Sequence, residues 1–498
     1  MTTPPPTPAD APRIPETPGA SESESPASTR PVQWEDFREH LSTANRDGGR
    51  RWIYAKKPEG RWYRRRTWLS WLMLLVMFSG PFIRINGNPL LMLNIVERRF
   101  SILGFMFWPE DGILFAVAML TFFAGIMIFT SAFGRLWCGW TCPQTVLMEM
   151  VFRKLDYLIE GDAQAQRALD ASPWTARKLA IKTLKHGVFF GLSFIIGNTL
   201  LSYIIGSDAL YQIIRDDPSR HLVGLTFMVL FSLVFYAIFA HFREQACTFI
   251  CPYGRFQSAL LDENTMVVAY DHRRGEKRAP WKRDQSLALR QAEGNGDCVN
   301  CRQCVAVCPT GIDIRDGIQM ECVNCTACID ACDTVMDRLK LPRGLVRYAS
   351  LNGLESGKPL RFTARMKLYA TVLVALISLF LFLVVTRADV EAIFLRAPGA
   401  LFQSAGAGKL SNLYTVKVIN KTHGDLPVEF RLLNLPGNIR VLGASQFVAP
   451  GDKLAQTSVL VELETKSLTG STTQLEIGLF AGGKQVGRIK TAFIGPRG

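Results

Sequence analysis

Eight of the twelve cysteines stand in two runs, CVNCRQCVAVCP (298–309) and CVNCTACIDACD (322–333), each reading Cys-x-x-Cys-x-x-Cys-x-x-x-Cys. Three thiolates spaced this closely in a loop can take three corners of an iron–sulfur cube, while the fourth crosses to a second cube. The runs therefore predict two [4Fe–4S] clusters. Cys298, Cys301, Cys304 and Cys332 would hold one, and Cys322, Cys325, Cys328 and Cys308 the other. Two structural zinc sites would call for separate Cys-x-x-Cys knuckles rather than this double run. Pro309 follows the first run, but Asp333 stands in the matching place after the second. That change removes a conformational lock and sets a carboxylate near a cluster.

The other four cysteines form GRLWCGWTCPQ (134–144) and QACTFICPYGR (245–255), each a Cys-x-x-x-Cys-Pro motif at Cys138/Cys142 and Cys247/Cys251. Proline favours the first helical turn, so Cys142 and Cys251 are expected at helix N-caps. There the helix dipole, with Arg135 and Arg255 nearby, would favour thiolates. Thiolates suit Cu(I), a further iron–sulfur cluster or dithiol–disulfide exchange, and simple packing at helix ends is the alternative. Met148, Met150 and His241 lie close in sequence and read as packing residues.

These motifs need a scaffold. Apolar residues make up 48% of the 498-residue chain. Five stretches approach the roughly 20 apolar residues that cross a bilayer: Thr67–Ile85, Gly112–Phe133, His186–Gly206, His221–Phe242 and Met366–Val385. Each cysteine pair follows two of them, a duplication that predicts two hairpins whose motifs meet at one face. Leu90–Trp108, broken by Glu97, Arg98 and Arg99, reads as an interfacial or extramembrane helix. Basic residues crowd 50–66 and the 134–185 loop, while 86–111 and 207–220 hold two each. By the positive-inside rule the N-terminus and all twelve cysteines are cytoplasmic and the C-terminal part is exported. A reducing compartment argues against disulfides. The +14 net charge is thereby accounted for without nucleic acid.

Residues 1–45 form a Pro- and Ser-rich tail that cannot bury enough to order itself. The stretches 413–420, 428–434, 438–443, 456–463, 473–480 and 486–494 read as short strands of an immunoglobulin-like β-sandwich. There is no Cys-x-x-Cys-His and no strand-linked G-x-G-x-x-G, so no haem, flavin or nicotinamide site is expected. His186 and His241 near span ends are too few to change that.

The order of these elements resembles the cytochrome c oxidase accessory proteins of the CcoG/FixG/RdxA type. The resemblance rests on the two CxxxCP motifs, the two ferredoxin runs, the last span and the strand-patterned tail, and it covers nearly everything after residue 45. It implies an α-helical integral membrane protein of the bacterial inner membrane with five transmembrane helices, a cytoplasmic 2[4Fe–4S] ferredoxin module and a periplasmic immunoglobulin-like domain. The expected division is 46–260 for a four-helix membrane domain, 261–365 for the ferredoxin module, 366–386 for the fifth helix and 387–498 for the sandwich. The implied activity is reduction of Cu(II) to Cu(I) for cbb3-type oxidase assembly, with oxidase-assembly or copper-handling proteins as partners and copper at Cys138, Cys142, Cys247 and Cys251. A relay or assembly factor without enzymatic activity is the other reading, and the electron donor, quinol or a soluble ferredoxin, stays open.

Overall fold

The computed structural model describes residues 42–43 and 49–496, apart from 86, 96–98, 283–284, 358–362, 399–401, 407 and 444–445. The expected tail at 1–45 thus lies outside the described residues except for 42 and 43.

Among the described residues four helices are long and apolar enough to cross a membrane: Gly112–Phe133, Ala176–Ile205, Pro218–Phe242 and Ala364–Val385. Their large side chains point outward, Phe115, Phe122, Phe227 and Phe382 among them, as a lipid solvent allows. Ala176–Ile205 packs on Leu222–Ala237, and Ala364–Val385 on Gly112–Phe133. Gly197 admits the Met228 side chain at the first of these contacts, the use small residues have between membrane helices.

The expected first span differs. Its helix runs Arg61–Ser79, not Thr67–Ile85, and begins with a basic turn. The apolar remainder, Thr67–Ser79, rises only about 20 Å at ~1.5 Å per residue, against a ~30 Å hydrocarbon core. Pro81 follows closely, and Arg84–Ile85 pairs with Asn88–Pro89 as a hairpin. The Tyr203 hydroxyl donates to Met77 O at 2.7 Å, so this helix ends beside the end of Ala176–Ile205.

The helix expected over Leu90–Trp108 is instead a three-stranded antiparallel sheet of Leu91–Asn94, Arg99–Ile102 and Phe105–Phe107. Leu91 and Leu93 are exposed while Met92 and Asn94 are buried, a period of two that counting apolar residues overlooks. Leu103 and Gly104, both at positive φ (54° and 83°), make the tight turn between the last two strands.

The ferredoxin module is framed by the antiparallel pair Val267–Tyr270 and Val346–Ala349 and by the helix Ala327–Arg338. Val268, Ile312, Ile314, Ile329, Met336 and Leu345 form its core around the cysteines. The C-terminal domain is a sandwich of two antiparallel sheets. One has the order Gly437–Leu442, Leu454–Glu464, Lys409–Asn420, Val390–Arg396, and the other Phe447–Ala449, Leu426–Leu432, Thr472–Ala481, Lys484–Ile494. Tyr414, Val416, Val459, Val461, Ile477 and Leu479 fill the space between them. Val390–Arg396 and Phe447–Ala449 were not among the expected strands.

The two extramembrane parts attach at opposite ends of the first helix's course. At its start, the Asp330 carboxylate of the ferredoxin module accepts from Trp62 N (3.1 Å) and Tyr63 N (2.8 Å). Near its finish, Asn88 in the following hairpin donates to Asp452 of the sandwich at 2.9 Å.

Candidate functional site

The two ferredoxin runs share one backbone device. Asn300 and Arg302 in the first, and Asn324 and Thr326 in the second, all adopt positive φ between 51° and 67° at matching positions. Such residues turn successive N–H groups toward one concavity, which suits an anionic sulfur cage. Each run then faces a cavity. One, of about 360 Å³, is lined by Cys298, Cys301, Cys304 and Cys332 together with Tyr270, Met336 and Val346. The other, of about 340 Å³, is lined by Cys308, Cys322, Cys325 and Cys328, with Cys304 at its edge and Val268, Ile312 and Ile314 as apolar wall. Among the described residues no three His, Cys, Asp or Glu side chains converge on a single ion. A tetrahedral zinc would draw its sulfurs to ~2.3 Å from one point. The sulfurs instead ring two separate cavities, four to each, so the donor sets fit two [4Fe–4S] groups. Burial pushes the Cys304 and Cys322 thiols up to about 12 and Cys325 to about 11. Such groups ionise at neutral pH by binding metal.

Asp333, in the place of the second proline, does structural work. Its carboxylate accepts from Gly344 N at 3.0 Å and pairs with Arg61 at 3.4 Å, tying the helix bearing Cys332 to the next loop and to the first helix.

Both CxxxCP motifs end at helix N-caps as the prolines require. Cys142 caps Pro143–Thr145, which runs on through Val146–Phe152, and Cys251 caps Pro252–Leu260, each with extended ψ and proline at the first helical position. Two close contacts fix the loops. A Cβ on Gly254 would fall on Cys247 O, and one on Gly139 would fall on Val323 O. The two pairs lie close enough to feel one another, though no three of their sulfurs converge on one point: burial pushes the Cys247 thiol up to about 12, and Cys142, Cys138 and Cys251 add to it. Cys138 is likewise raised by burial, against the opposing pull of Arg135 and Gln257. These two are the first cysteines of their motifs, not the helix-capping pair for which thiolates are expected. Desolvation outweighs the nearby guanidinium, because Arg135 is itself occupied by Gln257 Oε1 (2.8 Å), Gly254 O (2.8 Å) and Met320 O. Arg255 is exposed.

The first motif lies directly against the second cluster cavity. Gly139 packs on the Val323–Asn324 backbone between Cys322 and Cys325. Arg66 Nε donates to Gly139 O at 2.6 Å. Trp140 Nε1 donates to the Tyr348 hydroxyl (3.1 Å), which donates to Asn324 O (3.1 Å). A third cavity, of about 370 Å³, separates Cys247 and Met148 from Pro309 and Thr310 beside Cys308.

A buried ion network holds the two loops in register. Asp156 pairs with Arg243 and with Lys185 (2.9 Å), while Arg153 pairs with Glu149 (3.1 Å) and Glu244 (3.5 Å). Arg243 and Glu244 precede Cys247, and Glu149, Arg153 and Asp156 follow Cys142. Met148 is a buried core residue as well as a cavity wall. Met150 is buried, with Thr67 Oγ1 at 3.7 Å from its sulfur. His241 is exposed and set edge-on to Phe242, and His186 is bound to Tyr236 at 2.8 Å.

Sequence reasoning missed Gln257, Gly139, Arg66, Tyr348 and the charge network. An amide or a carboxylate at a membrane edge gives no local signal of its partner. Only Gly139, a glycine inside a cysteine motif, could have been singled out by its type.

Comparison with known proteins accords with this geometry. The 4Fe-4S dicluster domain family matches residues 242–351, a 4Fe-4S binding domain matches 115–160, and the IG-like fold at the C-terminal of FixG matches 380–496. The chain is similar to the nitrogen fixation protein FixG of Rhizobium meliloti, 37% identical over 61% of this chain and 58% of that one. It is also similar to two proteins of Cereibacter sphaeroides. RdxA is 33% identical over 89% of this chain and 97% of its own, and RdxB 31% over 74% and 79%. The chain belongs to the FixG/CcoG/RdxA family of membrane iron–sulfur electron-transfer proteins.

Proposed function

We propose that the protein reduces Cu(II) to Cu(I) at the four CxxxCP cysteines, with electrons from the two ferredoxin sites, to supply copper for a cbb3-type oxidase. The observation that carries this reading is the packing of Gly139, inside the first motif, on the Val323–Asn324 backbone between Cys322 and Cys325. Bound clusters supply one-electron reduction. The residues do the rest. Cys298, Cys301, Cys304 and Cys332 would hold the outer site, Cys308, Cys322, Cys325 and Cys328 the inner one, and Gly139 sets the first CxxxCP motif against the inner site. Copper is the substrate: each ion gains one electron, and the soft sulfur donors of Cys138, Cys142, Cys247 and Cys251 favour Cu(I) over Cu(II). Two raised thiols make proton release part of copper binding.

The same reading takes the whole first helix, with its basic turn at one interface, as a fifth crossing, since Arg61–Ser79 rises about 28 Å at ~1.5 Å per residue. It starts against the ferredoxin module and ends beside the hairpin that touches the sandwich. On this reading the N-terminus and all cysteines are cytoplasmic and the sandwich is periplasmic, facing oxidase-assembly or copper-handling partners, a sidedness supported by the basic residues at 50–66 and 134–185.

A second reading is favoured by one observation: the 4Fe-4S binding domain match at 115–160 includes Cys138 and Cys142. Here the four CxxxCP cysteines hold a third cluster. Iron and labile sulfide in anaerobically purified protein separate the two, about eight iron atoms per chain for copper reduction and about twelve for a third cluster. Dithionite-reduced protein is then mixed with Cu(II) and a Cu(I) chelator. Copper reduction requires cluster reoxidation matched by Cu(I), with both lost in Cys138→Ser/Cys251→Ser. Clusters that stay reduced in the presence of Cu(II) would sink the reading.

A further inference from the structure

The two cluster cavities differ in what covers them. Over the inner one, Ser42 bonds Thr310 O (2.7 Å) and Glu321 (2.8 Å), Ile53 lies on Gly311, and Gly139 lies on Val323. The outer one reaches the surface at Cys301, the one exposed cysteine of the twelve. Arg302, next in the chain, is exposed. Lys56 reaches Gln303 Oε1 at 3.2 Å. Arg338 stands three residues beyond the cavity-lining Val335 and so on the same side of its helix, with Lys340 just past it. Four acids near this face are each bound to an arginine, Asp313 to Arg315, Asp316 to Arg278, Asp333 to Arg61 and Asp337 to Arg343, and the exposed Glu59 has Lys56 and Lys57 close to it in the chain. Among the described residues Lys56, Arg302, Arg338 and Lys340 have no such acidic partner, which leaves a positive rim around the exposed ligand.

We propose that this rim is the docking surface for an acidic, soluble one-electron carrier protein, which makes the outer site the point of electron entry. The inference rests on the cluster positions given under Proposed function and settles on one class of donor. One electron leaves the carrier, which is oxidised, and enters the site of Cys298, Cys301, Cys304 and Cys332, which is reduced. No bond is made and no proton moves. Opposite charge steers such encounters and sets their rate, with a strong dependence on salt. A quinol would come from the membrane edge, where the inner site is covered by the first motif and by Ser42 and Ile53.

The test uses the full chain, iron-loaded, in lipid nanodiscs, with a plant-type acidic [2Fe–2S] ferredoxin as probe. Binding of the oxidised, fluorescently labelled probe is followed by anisotropy and needs neither copper nor turnover. The expected result is binding weakened tenfold or more between about 20 and about 200 mM salt, as screening shortens the range of the rim. Arg302→Glu and Arg338→Glu should each weaken it about threefold to tenfold, while Lys484→Glu on the sandwich leaves it unchanged. Stopped-flow reduction by the reduced probe should slow in the same two variants, with dithionite reduction unaltered as the check on folding and cluster content. Binding indifferent to salt and to both reversals overturns the proposal, as does reduction by a short-chain quinol that outpaces the ferredoxin. Failure of copper reduction alone would leave both of these readouts in place.

Discussion

The two ends of the membrane helices are joined to their extramembrane domains in different ways. At the cysteine-bearing end the joint is tight and distributed: Gly139 on the Val323–Asn324 backbone, Arg66 on Gly139 O, Arg135 spanning Gln257, Gly254 O and Met320 O, and Asp330 capping the first helix. At the sandwich end the contacts are fewer and are made by side chains, with Asn88 on Asp452 (2.9 Å) and a group around one buried carboxylate. Asp111 accepts from Arg387 (2.7 Å) and Lys421 (2.6 Å), and Lys421 also pairs with Glu391 (2.9 Å). Under the proposed function the first motif and the inner site exchange electrons and must be held at a fixed short separation, whereas a docked domain needs only to stay attached. The density of close backbone contacts follows that division.

Gly139→Val puts this difference under the heaviest load. Its side chain would occupy the space of the Val323 carbonyl, so the motif must lift from the loop between Cys322 and Cys325. Overpacking of this kind costs about 1–3 kcal/mol, and a displacement near 1 Å can slow a reaction about a hundredfold. Cluster reoxidation by Cu(II) should slow by about that factor, while thermal melting of the sandwich is unmoved. A variant that reoxidises at the wild-type rate would dissociate the contact from the route.

Asp111→Asn tests the other end. Removing one member of a buried ion group costs about 3 kcal/mol. The sandwich should become protease-sensitive at its root near Arg387, with cluster reduction unchanged. Acid should imitate the substitution. Burial would raise the Asp111 carboxyl, but bonds from Arg387, Lys421 and Trp108 N–H outweigh it and hold it below the usual carboxylate range. Its contribution is therefore complete above the ordinary carboxylate pKa of ~3.9 and fades as pH falls through the lower folded value. Proteolysis across a pH series should show protection lost only in that acid window, and in Asp111→Asn the window should disappear.

How much of this could be read from the sequence depends on the range of each interaction. The ferredoxin runs, the proline-started caps at Cys142 and Cys251, the four long spans and most of the sandwich strands follow from local pattern, and local pattern is legible. The strands at 91–107 were misread because their apolar content was weighed without its period of two. The first helix was placed too far along because Arg61–Arg66 belongs to the basic block 50–66, which reads in sequence as preceding the span. It is helical because Asp330, 268 positions away, caps it. The thiol character of Cys138 and Cys247 was hidden for the same reason. Sequence shows Arg135 nearby, but not that its guanidinium is already bound to an amide and two carbonyls.

Asp330→Ala is the mildest challenge to the cysteine-bearing end. Gly60, at the N-cap position, has no side chain to cap the first helix, and a residue with a Cβ there, at φ 150°, would collide with the Asp330 carboxylate. The carboxylate therefore stands in for an N-cap, satisfying the two early N–H groups of Trp62 and Tyr63 and facing the positive end of the helix dipole. Losing a cap costs about 1 kcal/mol, up to ~2 where burial keeps water out. Asp330→Asn keeps an acceptor for one N–H and should recover about half of that. The readout is hydrogen exchange at Trp62 and Tyr63, faster in Asp330→Ala, intermediate in Asp330→Asn and unchanged in Asp111→Asn. Exchange that rises equally in Asp111→Asn would mean that the two joints are not independent, and the contrast between the ends would be lost.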